Sequence, residues 1–73
     1  MQKKLDGKKI GMYFKQIREE FAYSIKEFSK LLCVSQKQLL LVEEGKRLPN
    51  LEMVIRCSNA FNICADNFLI FVD

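Results

Sequence analysis

The sequence has no histidine, one proline, Pro49, and three glycines, Gly7, Gly11 and Gly45. Without histidine, neither a Ser/His/Asp nor a Cys/His arrangement has its base, and Asp66 and Asp73 near Cys64 do not replace it. No glycine-rich phosphate cradle is present. No enzyme activity and no small-molecule substrate are therefore expected. The cysteines, Cys33, Cys57 and Cys64, are odd in number, sit in apolar surroundings and form no C-x-x-C pair, so reduced thiols are expected, with no metal and no other cofactor. There is no signal-like leader and no apolar run long enough to cross a bilayer, which points to a cytoplasmic protein without a membrane partner.

What remains suits a small helical domain. A chain of 73 residues supports one core, and a hydrophobic content of 49% is enough to build it. So few glycines and prolines favour helices joined by short turns over a sandwich or barrel. Twelve basic against nine acidic residues leave a net charge of +3, which permits a polyanionic partner without demanding one. Lys3, Lys4, Lys8 and Lys9 make residues 1–9 a basic arm, open to two readings: a frayed solvated end, or an arm that touches phosphate.

Ile10, Phe14, Ile17 and Phe21 form an apolar stripe on a first helix running from after Gly7 to near Ala22. Ser24 and Glu27 make a capping box for a second helix whose buried face is Phe28, Leu31 and Leu32. Cys33 and Val34 are the turn, Ser35 caps a third helix with Leu39 and Val42 inward, and Gly45 stops it. After a loop from Lys46, Asn50 caps a fourth helix with Leu51, Val54, Cys57, Ser58 and Phe61 on one side, and Asn62 allows a left-handed stop. A fifth helix is expected from about Ala65, within an apolar segment, 66–73, that holds Phe68, Leu69, Ile70, Phe71 and Val72. On the third helix Leu39, Val42 and Glu43 turn inward, leaving Gln36, Lys37, Leu40, Leu41 and Glu44 outside.

Order, spacing and turn residues agree together at Ile10-Gly11, Ile17 to Glu20, Ser24, Phe28, Lys30-Leu31-Leu32, Val34-Ser35-Gln36, Glu43 to Arg47, Pro49, Leu51-Glu52 and Asp66. From Ile10 to Leu69 the chain resembles the Cro/Xre (lambda-repressor-like) helix-turn-helix family. That resemblance implies a compact all-α, five-helix domain with the helix-turn-helix at its second and third helices. It implies a sequence-specific regulator of transcription, of the kind found in bacteria and phages, that occupies double-stranded operator DNA. Gln36, Lys37 and Leu41 would read base edges, since Gln pairs with adenine, Lys donates to guanine and Leu meets a thymine methyl. Ser24, Gln38, Lys46 and Arg47 would take phosphates. Arg18 and Glu43 would form a charge-assisted pair fixing the third helix.

The resemblance also implies a homodimer on two half-sites roughly 34 Å apart. The contact expected is the fifth helix, or a strand of the last residues paired between chains; the alternative is a tail folded over its own core. The chain departs from the family pattern at several places. Ile25 stands where Gln is usual, Leu40 and Leu41 where polar residues are usual, Glu44 where a carboxylate would repel phosphate, and Phe21 where the family is polar. Cys33 takes a left-handed position usually held by Gly. Ile25 and Phe21 either continue the core stripes or lie on the surface. Leu40 and Leu41 are either base readers or, with Ile70 and Phe71, an interface for protein. The competing function is thus a protein-interaction or dimerisation module on the same fold.

Overall fold

Short polar side chains set the start of each of the four α-helices in the computed structural model, which describes residues 3–73. Helix α1 spans Gly7–Glu20, α2 Ile25–Leu32, α3 Gln36–Glu43 and α4 Leu51–Phe61. Asp6, Ser24, Ser35 and Asn50 are their caps, each accepting the backbone N–H three residues on, at 3.0, 3.1, 3.0 and 2.8 Å. Each cap satisfies a donor that the first helical turn leaves without a partner.

The far ends of α2, α3 and α4 close with a left-handed residue, at Cys33, Gly45 and Asn62. The following N–H then bonds back five residues, from Val34 to Ser29, Lys46 to Leu41 and Ile63 to Ser58. Such closures satisfy the last carbonyls and reverse the chain within two residues.

The stripe of α1 packs Ile10, Phe14 and Ile17 against Phe28 and Leu32 of α2, Leu39 and Val42 of α3, and Met53 and Cys57 of α4. Two helices differ from their expected faces. In α2 it is Ser29 that is buried beside Phe28 and Leu32, its hydroxyl donating to the Lys26 carbonyl at 2.9 Å, while Leu31 is half-buried. In α4 Leu51 is 73% exposed, and Met53 takes the buried place.

The fifth helix is a single 3-10 turn, Ala65–Phe68. Phe68 enters the core against Tyr13 and Phe14, with ring centroids 5.0 and 4.9 Å apart. Anchored there, the following residues run extended: Asp6 N–H donates to the Ile70 carbonyl and Val72 N–H to the Lys4 carbonyl, both at 2.7 Å, around an antiparallel bridge between Leu5 and Phe71. The tail therefore pairs with the start of its own chain instead of continuing as a fifth helix, and this takes up the Ile70 carbonyl and the Val72 N–H within the chain. The same pairing ties down residues 4–6 of the basic arm, and Lys8 and Lys9 already belong to α1.

Candidate nucleic-acid interface

Helix α3 contributes only two apolar side chains to the core, Leu39 and Val42, so most of its surface is left free. What holds its carboxyl end is α1. Arg18 Nε donates to Glu43 Oε2 at 2.9 Å and its second terminal nitrogen to Oε1 at 3.2 Å, a bidentate pair with side chains only 15% and 5% exposed. The same guanidinium donates to the Tyr23 carbonyl at 3.2 Å, tying the turn before α2 to the pair. Bidentate geometry fixes direction as well as distance. Two turns earlier on α1, a Cβ at Gly11 would overlap the Val42 carbonyl oxygen and stand 2.9 Å from that of Glu43. Glycine inside a helix costs about 1 kcal/mol against alanine, and here it admits the backbone of α3. Composition alone does not show this role; a glycine inside an apolar helical stripe is the available signal.

On the outer side, Gln36 and Lys37 are exposed at the amino end of α3, and Leu40, one turn on from Gln36, is 43% exposed. Leu41 is half-buried, and its carbonyl accepts from Lys46 and Arg47, so Leu40 is the more exposed of the adjacent leucines. Gln38 is also half-buried, with its backbone N–H given to the Ser35 cap.

At the start of α2 the Ser24 oxygen accepts from Glu27 N–H, and the Glu27 carboxylate accepts from Ser24 N–H at 3.0 Å. Hydrogen bonds to the carboxylate from the Ser24 backbone N–H, first, and from the Ser24 side chain hold the Glu27 carboxyl below its ordinary range. The Ser24 hydroxyl is thus engaged with Glu27, while the first-turn N–H groups of Ile25 and Lys26 have no partner within the helix and lie beside a negative charge.

Lys46 and Arg47 are exposed in the loop after α3. Glu44 lies 3.6 Å from the Lys46 ammonium, so the carboxylate that would repel phosphate is partly offset by its neighbour. Ile25 packs against the core, while Phe21 is 49% exposed and stacks on Phe61 with centroids 4.5 Å apart. Cys33 does adopt the left-handed backbone, at φ 57. No helix among the described residues is long and apolar enough to cross a membrane.

The family model that matches, over residues 14–65, is that of the helix-turn-helix. A protein of Pyrococcus horikoshii named as an HTH-type transcriptional regulatory protein is 37% identical over 59 residues, covering 81% of this chain and 18% of its own length. A counterpart from Thermococcus kodakarensis is 35% identical over 52 residues, covering 71% of this chain and 16% of its own length. The chain thus spans less than a fifth of the curated relatives it matches. Among solved structures, the restriction-modification controller protein C.AhdI from Aeromonas hydrophila superposes with a TM-score of 0.76 at 21% identity, covering 86% of this chain and 96% of that one. The biofilm master regulator SinR, solved in complex with DNA, superposes with a TM-score of 0.72 at 24% identity, covering 82% of this chain and 97% of that one. At these identities the superpositions speak for the fold.

Proposed function

The chain belongs to the Cro/Xre-like helix-turn-helix family, and from that premise we propose that it acts as one domain, a sequence-specific DNA-binding regulator of transcription. The observation that carries the reading is the setting of α3. Its inner residues and carboxyl end are locked to α1, its amino end presents Gln36 and Lys37 to solvent, and exposed cations follow its carboxyl end at Lys46 and Arg47. Gln36 and Lys37 read base edges in the major groove, while Arg47, Lys46 and the backbone N–H groups that follow Ser24 at the start of α2 hold phosphates. The regulatory names of the relatives, and the DNA in the SinR structure, support the same reading.

Leu40 favours a second reading, a face for protein, because it places apolar surface beside Gln36. Self-association is compatible with either. Leu5, Leu48, Leu51 and Leu69, all partly exposed, rim a groove of about 250 Å³ floored by Phe68 and Val54, and this surface replaces the fifth helix as the proposed contact in a homodimer. The three unpaired cysteines fit a cytoplasmic setting.

Binding of the chain to mixed-sequence duplex DNA across a salt series tests the proposal. The logarithm of the affinity should fall with the logarithm of salt at about 0.9 per phosphate neutralised by a cation, so Lys46 and Arg47 give a slope of about −2. Absence of binding at low salt contradicts the proposal.

A further inference from the structure

Three of the four lysines near the start of the chain, Lys4, Lys8 and Lys9, are separated by the structure into different environments. Lys4 is held through its backbone to Val72. The Lys9 ammonium lies 3.2 Å from the Asp73 carboxylate. Lys8 faces elsewhere. It is exposed, in the first turn of α1, and its Cα and Cγ press on Gly45 so closely that a Cβ on that glycine would stand 2.9 and 2.8 Å from them. Gly45 is also the left-handed residue, φ +78, that turns the chain from α3 into the loop carrying Lys46 and Arg47.

Close backbone packing, rather than a flexible side-chain contact, therefore brings three cationic residues around one glycine, two of them adjacent in sequence and the third distant from them. Glu44 beside Lys46 is the carboxylate paired in this cluster, and Lys8 has no ion pair among the described residues. Exposed cations on neighbouring stretches of one surface repel one another, and a polyanion across them removes the repulsion.

We propose that Lys8, Lys46 and Arg47 form one phosphate-binding edge, with Lys8 of α1 contacting the phosphodiester backbone of duplex DNA beside the loop that follows α3. This rests on the DNA-binding reading above and adds a contact from outside the helix-turn-helix. The approach of α1 to this loop is set by backbone packing, because Gly45 allows no side chain between them.

The test is the salt dependence of mixed-sequence duplex binding by the whole chain and by Lys8→Gln, Lys8→Arg and Lys9→Gln, each first checked for an unchanged thermal transition. Lys8→Gln should make the slope shallower by about 0.9, the release associated with one phosphate. Lys8→Arg should keep the parental slope. Lys9→Gln removes the same charge one residue away, from a lysine already paired with Asp73, and should change the slope by less than half as much. If Lys8→Gln keeps the parental slope, or if Lys9→Gln changes it equally, the proposed edge is wrong while the DNA-binding reading stands. If the parent shows no salt-dependent binding, both fall.

Discussion

Helices α2 and α3 are both eight residues long, both begin after a capping serine and both end in the same left-handed closure, yet they bury their faces differently. Helix α2 sinks Phe28, Ser29 and Leu32 into the core and packs Ile25 and Leu31 around them. Helix α3 buries Leu39, Val42 and Glu43, and leaves Gln36, Lys37 and Leu40 outside. A buried aliphatic side chain contributes about 1.5 to 3 kcal/mol, so α3 has less apolar hold than its partner. Its pose comes instead from directional means: a bidentate ion pair at its end and a glycine on α1 that lets the backbones touch. A helix meant to present its outer face gains from this, since the surface left uncommitted is the surface a ligand can use.

Cutting the directional hold should have the largest effect. Arg18→Ala leaves Glu43 buried without its partner and should cost about 3 kcal/mol of stability in urea unfolding. The double variant Arg18→Met with Glu43→Leu should recover most of that loss, because an apolar pair of similar volume carries no desolvation penalty. An Arg18→Ala midpoint equal to the parent's would show that packing alone holds α3.

The closures give a smaller and opposite effect. Helix α3 ends on Gly45, for which the left-handed backbone is free of strain, whereas α2 ends on Cys33 with the same backbone and a Cβ. Cys33→Gly removes a conformational cost of about 1 to 2 kcal/mol and adds unfolded-chain entropy worth about 0.4 to 1 kcal/mol. The expected gain is about 0.5 to 1 kcal/mol, seen as a raised thermal midpoint. A lowered midpoint would mean that the Cys33 side chain contributes contacts outweighing its strain.

The same contrast explains what the sequence reveals and what it conceals. Caps are legible because their chemistry is local: Ser24, Ser35 and Asn50 each reach a donor three residues away, and Asn62 and Cys33 mark their turns by position. The inward turn of Glu43 follows from helical period. The tail is different, since a continuous apolar run from Phe68 to Val72 has no period to separate helix from strand. What decides it is a partner at residues 4–6, at the other end of the chain. In α4 several registers of apolar residues compete, and only packing shows that Met53 enters while Leu51 stays out. At the interface, the exposure of Gln36 and Lys37 is legible, but the approach of Lys8 to Gly45 depends on a contact distant in sequence.

The central claim, that α3 is held out to be read against DNA, is tested most directly by Gln36→Ala, Arg47→Ala and Leu40→Ala together. Each is titrated with a duplex selected by the parent from a random pool and with unrelated duplex, and each is sedimented for self-association. The account predicts that Gln36→Ala loses about 1 to 3 kcal/mol on the selected duplex alone, while Arg47→Ala weakens both duplexes alike and lowers the salt slope by about one. Leu40→Ala should disturb neither self-association nor the binding of unrelated duplex. Loss of self-association in Leu40→Ala, with Gln36→Ala indistinguishable from the parent on every duplex, would contradict the claim.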